Sequence, residues 1–231
     1  MHPLENIVQQ VPANAKVLDY GCFGWKVIQY CPSRNDIEHH GCDINPPVHI
    51  PPKAKFHRVD PKHRVIPVED DVFDLVVASH VLEHVLDPLD LFRELVRVCK
   101  PGGRIYMETP SDRSLRVRSH RRADSHAFFS FWDDPTHLRP WPPAALYRLA
   151  ISYGCLPLTW RYITTRKDRW LFPFRYCYYM ATRNPYKLAE IIKPAIGWEC
   201  FLLAEKPNDM HGAPRYCYAY LRNIPAGAEN A

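Results

Sequence analysis

The stretch from Lys16 to Trp25, K-V-L-D-Y-G-C-F-G-W, decides how the rest of the chain is read. A short apolar run climbs to Asp19, Gly21 and Gly24 bracket a turn, and Trp25 to Cys31 resumes a pattern compatible with a helix. Strand, glycine turn and helix are how a doubly wound sheet opens. Glycine, having no Cβ, lets backbone N–H groups approach a ligand, and the helix N-terminus behind them favours electron-rich groups. A D-x-G occurs by chance in many soluble proteins, so the weight falls on the order of features around it.

Upstream, Met1 to Ala15 reads as a short leading helix or arm. Downstream, Ile37 to Ile44 reads as a second strand closing on G-C-D-I, which puts Asp43 at its carboxyl end. In this architecture an acidic residue there meets ribose hydroxyls, while a turn-forming Asp before Asn45-Pro46-Pro47 accounts for it almost equally well. Asn45 to Lys53 is too rich in proline for a crossover helix, so the third strand, Lys55 to Asp60, follows an abbreviated connection. The largely apolar run Phe73 to Ser79 suits a central parallel strand covered on both faces. Asp87 then caps a helix with Pro88 in its first turn and Phe92, Leu95, Val96 and Cys99 as its buried stripe. Lys100-Pro101-Gly102-Gly103 stops that helix, and Arg104 to Glu108 is a strand. Further on, Pro143 to Tyr153 is a helix ended by Gly154, Leu156 to Thr164 a strand, Tyr186 to Lys193 a helix and Trp198 to Glu205 a strand. Arg215 to Arg222 can pair with that last strand through a turn at Lys206 to Pro214.

A chain of 231 residues suits one cored domain, here 1–224 with a tail at 225–231. With 46% hydrophobic and 24% charged residues the composition is that of a soluble globule. No apolar run is long enough to span a bilayer, and Met1 to Glu5 lacks a signal peptide's pattern, so a cytoplasmic protein is expected. Its eight cysteines lack a C-x-x-C pair and read as reduced, mostly buried thiols. The net charge of +5 is unevenly spread: Arg113, Arg116, Arg118, Arg121 and Arg122 form one cluster, and Arg161, Arg166, Lys167, Arg169 and Arg175 another. Each is a solvated face or a seat for an anionic acceptor.

The succession V-L-D-Y-G-C, G-C-D-I-N, F-D-L-V-V-A-S-H-V-L-E-H-V-L-D-P and L-F-R-E-L-V-R-V-C-K-P-G-G-R-I-Y-M-E-T-P resembles the class I S-adenosylmethionine-dependent methyltransferases. The resemblance is close over Lys16 to Pro110 and looser to Lys206. It implies a Rossmann-like, doubly wound, mostly parallel sheet of seven strands. Residues 16–110 would be the donor half, 111–141 a lid insertion, and 142–224 a C-terminal half with an aromatic and basic elaboration. S-adenosylmethionine would be the cofactor and S-adenosylhomocysteine the product, with no metal. The donor would lie against Asp19, Gly21, Cys22, Phe23 and Gly24 in the turn, Asp43 and Ile44 after the second strand, Asp60 near the adenine, and Ser79 and His80 after the central strand. Family members commonly have G-C-G-x-G where this chain has Gly21-Cys22-Phe23-Gly24-Trp25, so Phe23 is expected to narrow or reshape the methionine pocket. The element Asp134 to Pro140, D-P-T-H-L-R-P, resembles one in a bacterial subgroup several of whose members serve glycan or lipopolysaccharide pathways, which implies a small-molecule or glycan-type acceptor.

Methyl transfer from a sulfonium ion mainly needs positioning, but methylating oxygen also requires a base, and near neutral pH that suggests histidine. His137 is favoured, with Asp134 to orient it and Arg139 to grip an acidic acceptor; a histidine that merely fastens the lid is as common. His80 is a further candidate at the reacting centre, and His84 is read as structural or pocket-lining, not catalytic. Ser111 to Asp134, carrying the first arginine cluster with Phe128, Phe129, Phe131 and Trp132, is read as a lid over the acceptor. From Trp160 to Tyr179 aromatic residues interleave with arginines, a mixture read first as an amphipathic cap and otherwise as a membrane or nucleobase contact. His80-Val81-Leu82-Glu83-His84 also matches the H-x-x-E-H pattern of zinc peptidases, disfavoured because a sheet strand feeds directly into it. A nucleic-acid methyltransferase is disfavoured by the small net charge and the lack of an N-P-P-Y motif after the central strand. A non-catalytic partner retaining the fold is a third alternative.

Overall fold

The computed structural model describes residues 2–61, 65–117, 130–164, 166–182 and 185–208. After helix α1 (Pro3–Gln9), strand β1 (Lys16–Tyr20) opens a sheet continued by β2 (Glu38–Asp43), β3 (Lys55–Arg58), β4 (Phe73–Ser79), β5 (Cys99–Pro110), β6 (Leu156–Tyr162) and β7 (Glu199–Glu205). Helices α2 (Lys26–Tyr30), α3 (Pro88–Val98), α4 (Pro143–Ser152), α5 (Arg166–Ala181) and α6 (Pro185–Ile196) complete the described elements. Strand order is β3-β2-β1-β4-β5-β7-β6. β1 to β5 are mutually parallel, and β7 runs antiparallel between β5 and β6. The sheet is therefore the expected seven-stranded, mostly parallel one. Its order reverses between β1 and β4, where ligands lodge in such sheets because the connections leave the strand tips on opposite sides.

Alternation along the central strands builds a core on each face. Leu18, Val76, Ile105, Met107 and Leu202 join Phe92 and Leu95 of α3 and Leu146 of α4 on one face. Val17, Leu75, Val77, Tyr106 and Phe201 join Leu4, Ile7 and Val8 of α1 and Val27 of α2 on the other. Full burial of each such side chain stabilises the fold by roughly 1.5–3 kcal/mol. α3 begins as the sequence indicates: Asp87 accepts from the N–H groups of Leu89 and Asp90, and Pro88 occupies the first turn.

Three details differ from the sequence reading. α2 has only five residues, because Trp25 takes a left-handed φ of 48° and its ring packs under Gly41. Lys100 to Gly103 does not separate helix from strand but lies within β5 as an irregularity: Cys99 pairs with Phe73, and pairing resumes at Arg104. Backbone bonds between Gly102, Gly103 and Lys206 hold it there. The aromatic and basic stretch is largely helix α5, which packs on α6. The strand expected at Arg215 to Arg222 lies outside the described residues, as do Phe128, Phe129, Arg118, Arg121 and Arg122 of the expected lid. The seven described cysteines are free thiols, and all but Cys177 are buried.

Candidate functional site

The tips of β1, β2 and β4 meet at the topological switch. Gly21 leaves β1 with φ 78°, and its N–H donates to the Cys42 carbonyl at 2.8 Å, tying the turn to β2. A Cβ at Gly21 would stand 2.4 Å from Val81 Cγ2, so only glycine lets the β1 turn lie this close to the β4 exit. Beneath the turn Asp19 is buried; its Oδ2 accepts from the Val27 N–H at 3.3 Å, while Oδ1 has no partner among the described residues. Burial outweighs the backbone bonds and pushes the Asp19 carboxyl up to about 7. At the β4 tip, the buried hydroxyl of Ser79 also lacks a partner among the described residues. An unpaired buried polar group costs about 1–3 kcal/mol, so two on adjacent strands mark a place shaped for a polar ligand.

Asp43 ends β2 half-buried. One carboxylate oxygen accepts from the Asn45 N–H at 3.1 Å, the turn predicted as its alternative role, and the second takes no hydrogen bond among the described residues. The turn and an outward acceptor thus coexist in one side chain. Ile44 and Asp60 are exposed beyond the tips of β2 and β3. Burial, with help from Asp19 and Asp43, pushes the Cys22 thiol up to about 12 and keeps it neutral under the turn. Phe23 stands exposed on the turn. Its ring is 69% exposed and lines, with Trp25, Ile28 and Val48, an open apolar groove of about 490 Å³ that Asp19, Asp43 and Ser79 do not border. The residues present fit a nucleoside donor with hydroxyl and amino groups: unpaired oxygens at two strand tips, a free carboxylate oxygen at a third, and a turn that admits no Cβ.

Beyond β4 the chain turns at His80, whose φ is 57°. His80 Nδ1 donates to Glu83 Oε1 at 3.1 Å, and Nε2 faces Glu108 Oε1 at 3.5 Å and Glu199 Oε1 at 3.6 Å. Burial alone would lower its pKa, but these carboxylates outweigh burial and push it up to about 10, so His80 is an imidazolium at neutral pH. It clasps β4, β5 and β7 together at the rim. Tyr106 donates to Glu108, and Thr109 to Glu83 at 3.0 Å.

The zinc-peptidase alternative does not survive this geometry. Leu82 to His84 is a single 3-10 turn with His80 outside it, so the two histidines do not share a helical face. His84 Nδ1 lies 2.9 Å from the Thr136 hydroxyl instead, and its ring meets that of His137 at 4.8 Å. The two histidine motifs, about fifty residues apart, thus converge. Glu83, His84 and His137 bring ligand-type atoms within 4.8 Å of one another.

His137 is nearly buried, and its Nδ1 donates to the Phe131 carbonyl at 2.7 Å. Its ring stacks on that of Phe131, with centroids 4.5 Å apart. A carbonyl only accepts, so Nδ1 carries the hydrogen and Nε2 keeps the lone pair of the neutral ring. Asp134 Oδ2 is 3.8 Å from Nε2, beyond hydrogen-bond range. Asp134 instead accepts the Thr136 N–H and O–H at 2.8 and 2.6 Å. Burial would raise its carboxyl, but those bonds hold it below the usual carboxylate range. Arg139 donates to the Val85 and Leu86 carbonyls, fastening this element to the exit of β4. Arg113 lies over the Tyr162 ring at 3.5 Å and donates to Ile196, a structural use of one member of the first arginine cluster. Glu108, Glu199 and the Phe131 carbonyl go unread in the sequence, and Glu83 is read only as the glutamate of H-x-x-E-H.

A methyltransferase domain family model matches residues 2–158. A ubiquinone biosynthesis O-methyltransferase of Xanthomonas axonopodis pv. citri (strain 306) is 32% identical over 108 residues, 42% of this chain and 44% of that protein. A malonyl-[acyl-carrier protein] O-methyltransferase of Marinomonas sp. (strain MWYL1) is 46% identical over 50 residues, 22% of this chain and 18% of that protein. The chain thus spans less than half the length of these curated relatives. Among solved structures, a SAM-dependent methyltransferase from Archaeoglobus fulgidus aligns with a TM-score of 0.60 at 18% identity, covering 88% of this chain and 91% of that one. At that identity the likeness is one of fold.

Proposed function

This chain belongs to the methyltransferase domain family, and from that membership we propose that it uses S-adenosylmethionine to methylate a small-molecule acceptor at oxygen. The observation that carries the reading is the pair of unpartnered buried oxygens, Asp19 Oδ1 and Ser79 Oγ, on adjacent strands at the switch point. When bound, S-adenosylmethionine supplies a methyl group already activated by a positive sulfur. Asp43 would accept the ribose hydroxyls through its free carboxylate oxygen. Asp19 would hold the turn and the start of α2, with Gly21, Cys22, Phe23 and Gly24 presenting backbone and Ile44 and Asp60 flanking the base. Ser79 would offer its hydroxyl to the donor.

The acceptor side falls on the β4, β5 and β7 rim. His137 would take the acceptor's proton at Nε2, the ring nitrogen that its bond to Phe131 leaves with a lone pair. His80, already protonated, is suited to steadying charge near the reacting centre and not to removing a proton. Arg139 would meet an acidic group with the N–H groups not directed at Val85 and Leu86. Alignment of acceptor and methyl can contribute about 7–11 kcal/mol, and a positioned base about 10²–10⁴-fold. Oxygen as the methylated atom is supported by the names of both curated relatives, which are O-methyltransferases. A glycan-type acceptor rests on the Asp134 to Pro140 element alone. A cytoplasmic site of action is supported by the free thiols, and no helix among the described residues is long and apolar enough to cross a membrane.

Calorimetric titration with S-adenosylmethionine and S-adenosylhomocysteine tests the first step. Saturable binding of both at one site is expected; no binding of either would reduce the claim to fold. Binding without turnover on any phenol, hydroxyacid or carrier-bound acid tried would favour the non-catalytic partner.

A further inference from the structure

We propose that the outer face of α5 is a docking surface for an anionic lipid bilayer and holds the carboxyl rim of the sheet at the membrane surface. α5 is about 24 Å long at 1.5 Å per residue, and its two faces differ. Phe172, Tyr176 and Tyr179 pack with Leu188, Ile191 and Ile192 of α6 in a cluster separate from both faces of the sheet. On the opposite face Trp170, Phe174 and Tyr178, four residues apart, are 74, 71 and 63% exposed. The outward face of a solvated helix normally carries polar residues; here it carries three large rings in line.

Charge selects what covers them. From Arg161 to Lys193 eight Lys and Arg stand against two acids, so this segment is more positive than the whole chain, whose net charge is +5. Lys167, exposed, lies one turn before Trp170 on the same face, and Arg169 is exposed at its flank. Trp and Tyr settle at the headgroup level of bilayers, Phe reaches the acyl boundary, and Lys and Arg extend their stems along apolar surface to put their charges on phosphates. Nucleic-acid stacking platforms line grooves that track a strand; these rings project from a convex helix.

Position supports the same reading. β6 ends at Tyr162, and β7 begins at Glu199, opposite Pro110 at the end of β5. The α5–α6 segment therefore leaves and rejoins the sheet at the rim where β1, β2 and β4 end. Seated on lipid, α5 brings that rim to the interface.

The test is co-sedimentation of the full chain with vesicles of phosphatidylcholine alone and of phosphatidylcholine mixed with phosphatidylglycerol. Binding to the mixed vesicles only, weakened by salt, is expected. Lys167→Glu should weaken it by more than the roughly fivefold that one surface cation contributes. Trp170→Ala/Phe174→Ala/Tyr178→Ala should weaken it at least about tenfold, with the thermal melt and donor titration unchanged because these exposed rings belong to neither core cluster of the sheet among the described residues. Failure of the wild-type chain to sediment with anionic vesicles, or equal sedimentation of the triple variant, overturns the proposal. Tighter binding to a single-stranded oligoribonucleotide, lost in the same triple variant, would assign the face to nucleic acid and also overturn it.

Discussion

The ring of His137 is set by Phe131: Nδ1 donates to its carbonyl at 2.7 Å, whereas the carboxylate of Asp134 stays 3.8 Å from Nε2. The element that presents His137 thus fixes its tautomer through the backbone, and the Asp134 side chain shapes the turn through Thr136. His137→Ala should lower kcat by about 10²–10⁴-fold and leave donor affinity within about twofold. Asp134→Asn, which keeps an acceptor for Thr136, should cost far less. Steady-state kinetics beside donor titration separates these outcomes, and full turnover in His137→Ala excludes it as the base.

Asp43 has one carboxylate oxygen occupied by Asn45 and one open. Asp43→Ala should weaken both donor and product by about 10–100-fold, the loss of a hydrogen bond to a charged group. Asp43→Asn should fall between that variant and the wild type, since its amide keeps one acceptor for the turn. Unchanged affinity in Asp43→Ala, measured calorimetrically, would refute the ribose assignment.

Asp19 links the turn to pH. Its folded carboxyl holds a proton up to about 7, whereas the unfolded chain releases it near 3.8. Between those values the folded state binds more protons, so this residue's contribution to stability falls as pH rises from about 4 to about 7. Asp19→Asn removes the ionisation while leaving an oxygen for Val27. Its melting temperature should exceed that of the wild type at pH 8 by about 2–4 °C for each kcal/mol recovered, and the gain should shrink towards pH 4. A gain independent of pH would show that Asp19 is not the titrating group.

Much of this arrangement is legible in the sequence because the signals are local. The apolar run Phe73 to Ser79 has no counterpart among exposed strands, and Asp87-Pro88 writes a helix start into two adjacent residues. What escapes is set by contacts remote in sequence. Lys100-Pro101-Gly102-Gly103 reads as a stop, and only its bonds with Lys206 fold it into β5. Phe23 reads only as a residue that narrows or reshapes the methionine pocket, and it takes the left-handed turn at Trp25 and the loop through Val48 to show that it lines an apolar groove with Ile28. The aromatic stretch has a single composition, but its division into packed and outward rings depends on α6. Likewise H-x-x-E-H suggests two histidines on one helical face until the 3-10 turn at Leu82–His84 is seen to leave His80 outside it.

His80 gives the sharpest case of a role set from afar, because its charge comes from Glu108 on β5 and Glu199 on β7 as well as from nearby Glu83. His2 faces Glu108 from α1's cap, and Tyr106 donates to the same carboxylate. With a folded pKa of about 10 against an ordinary 6.5, His80 binds a proton in the folded state that the unfolded chain has released across that window. Its stabilising contribution is complete below about 6.5 and is lost as pH rises through 10. His80→Ala should leave Glu83 and Glu108 buried without their cation and cost about 3–5 kcal/mol, a drop in melting temperature of roughly 6–20 °C. His80→Gln keeps an N–H donor but no charge, so it should recover part of that loss while flattening the decline in melting temperature between pH 7 and pH 10. If wild type and His80→Gln decline in parallel across that range, the histidine is neutral. The three strand ends would then be held by hydrogen bonds without an imidazolium.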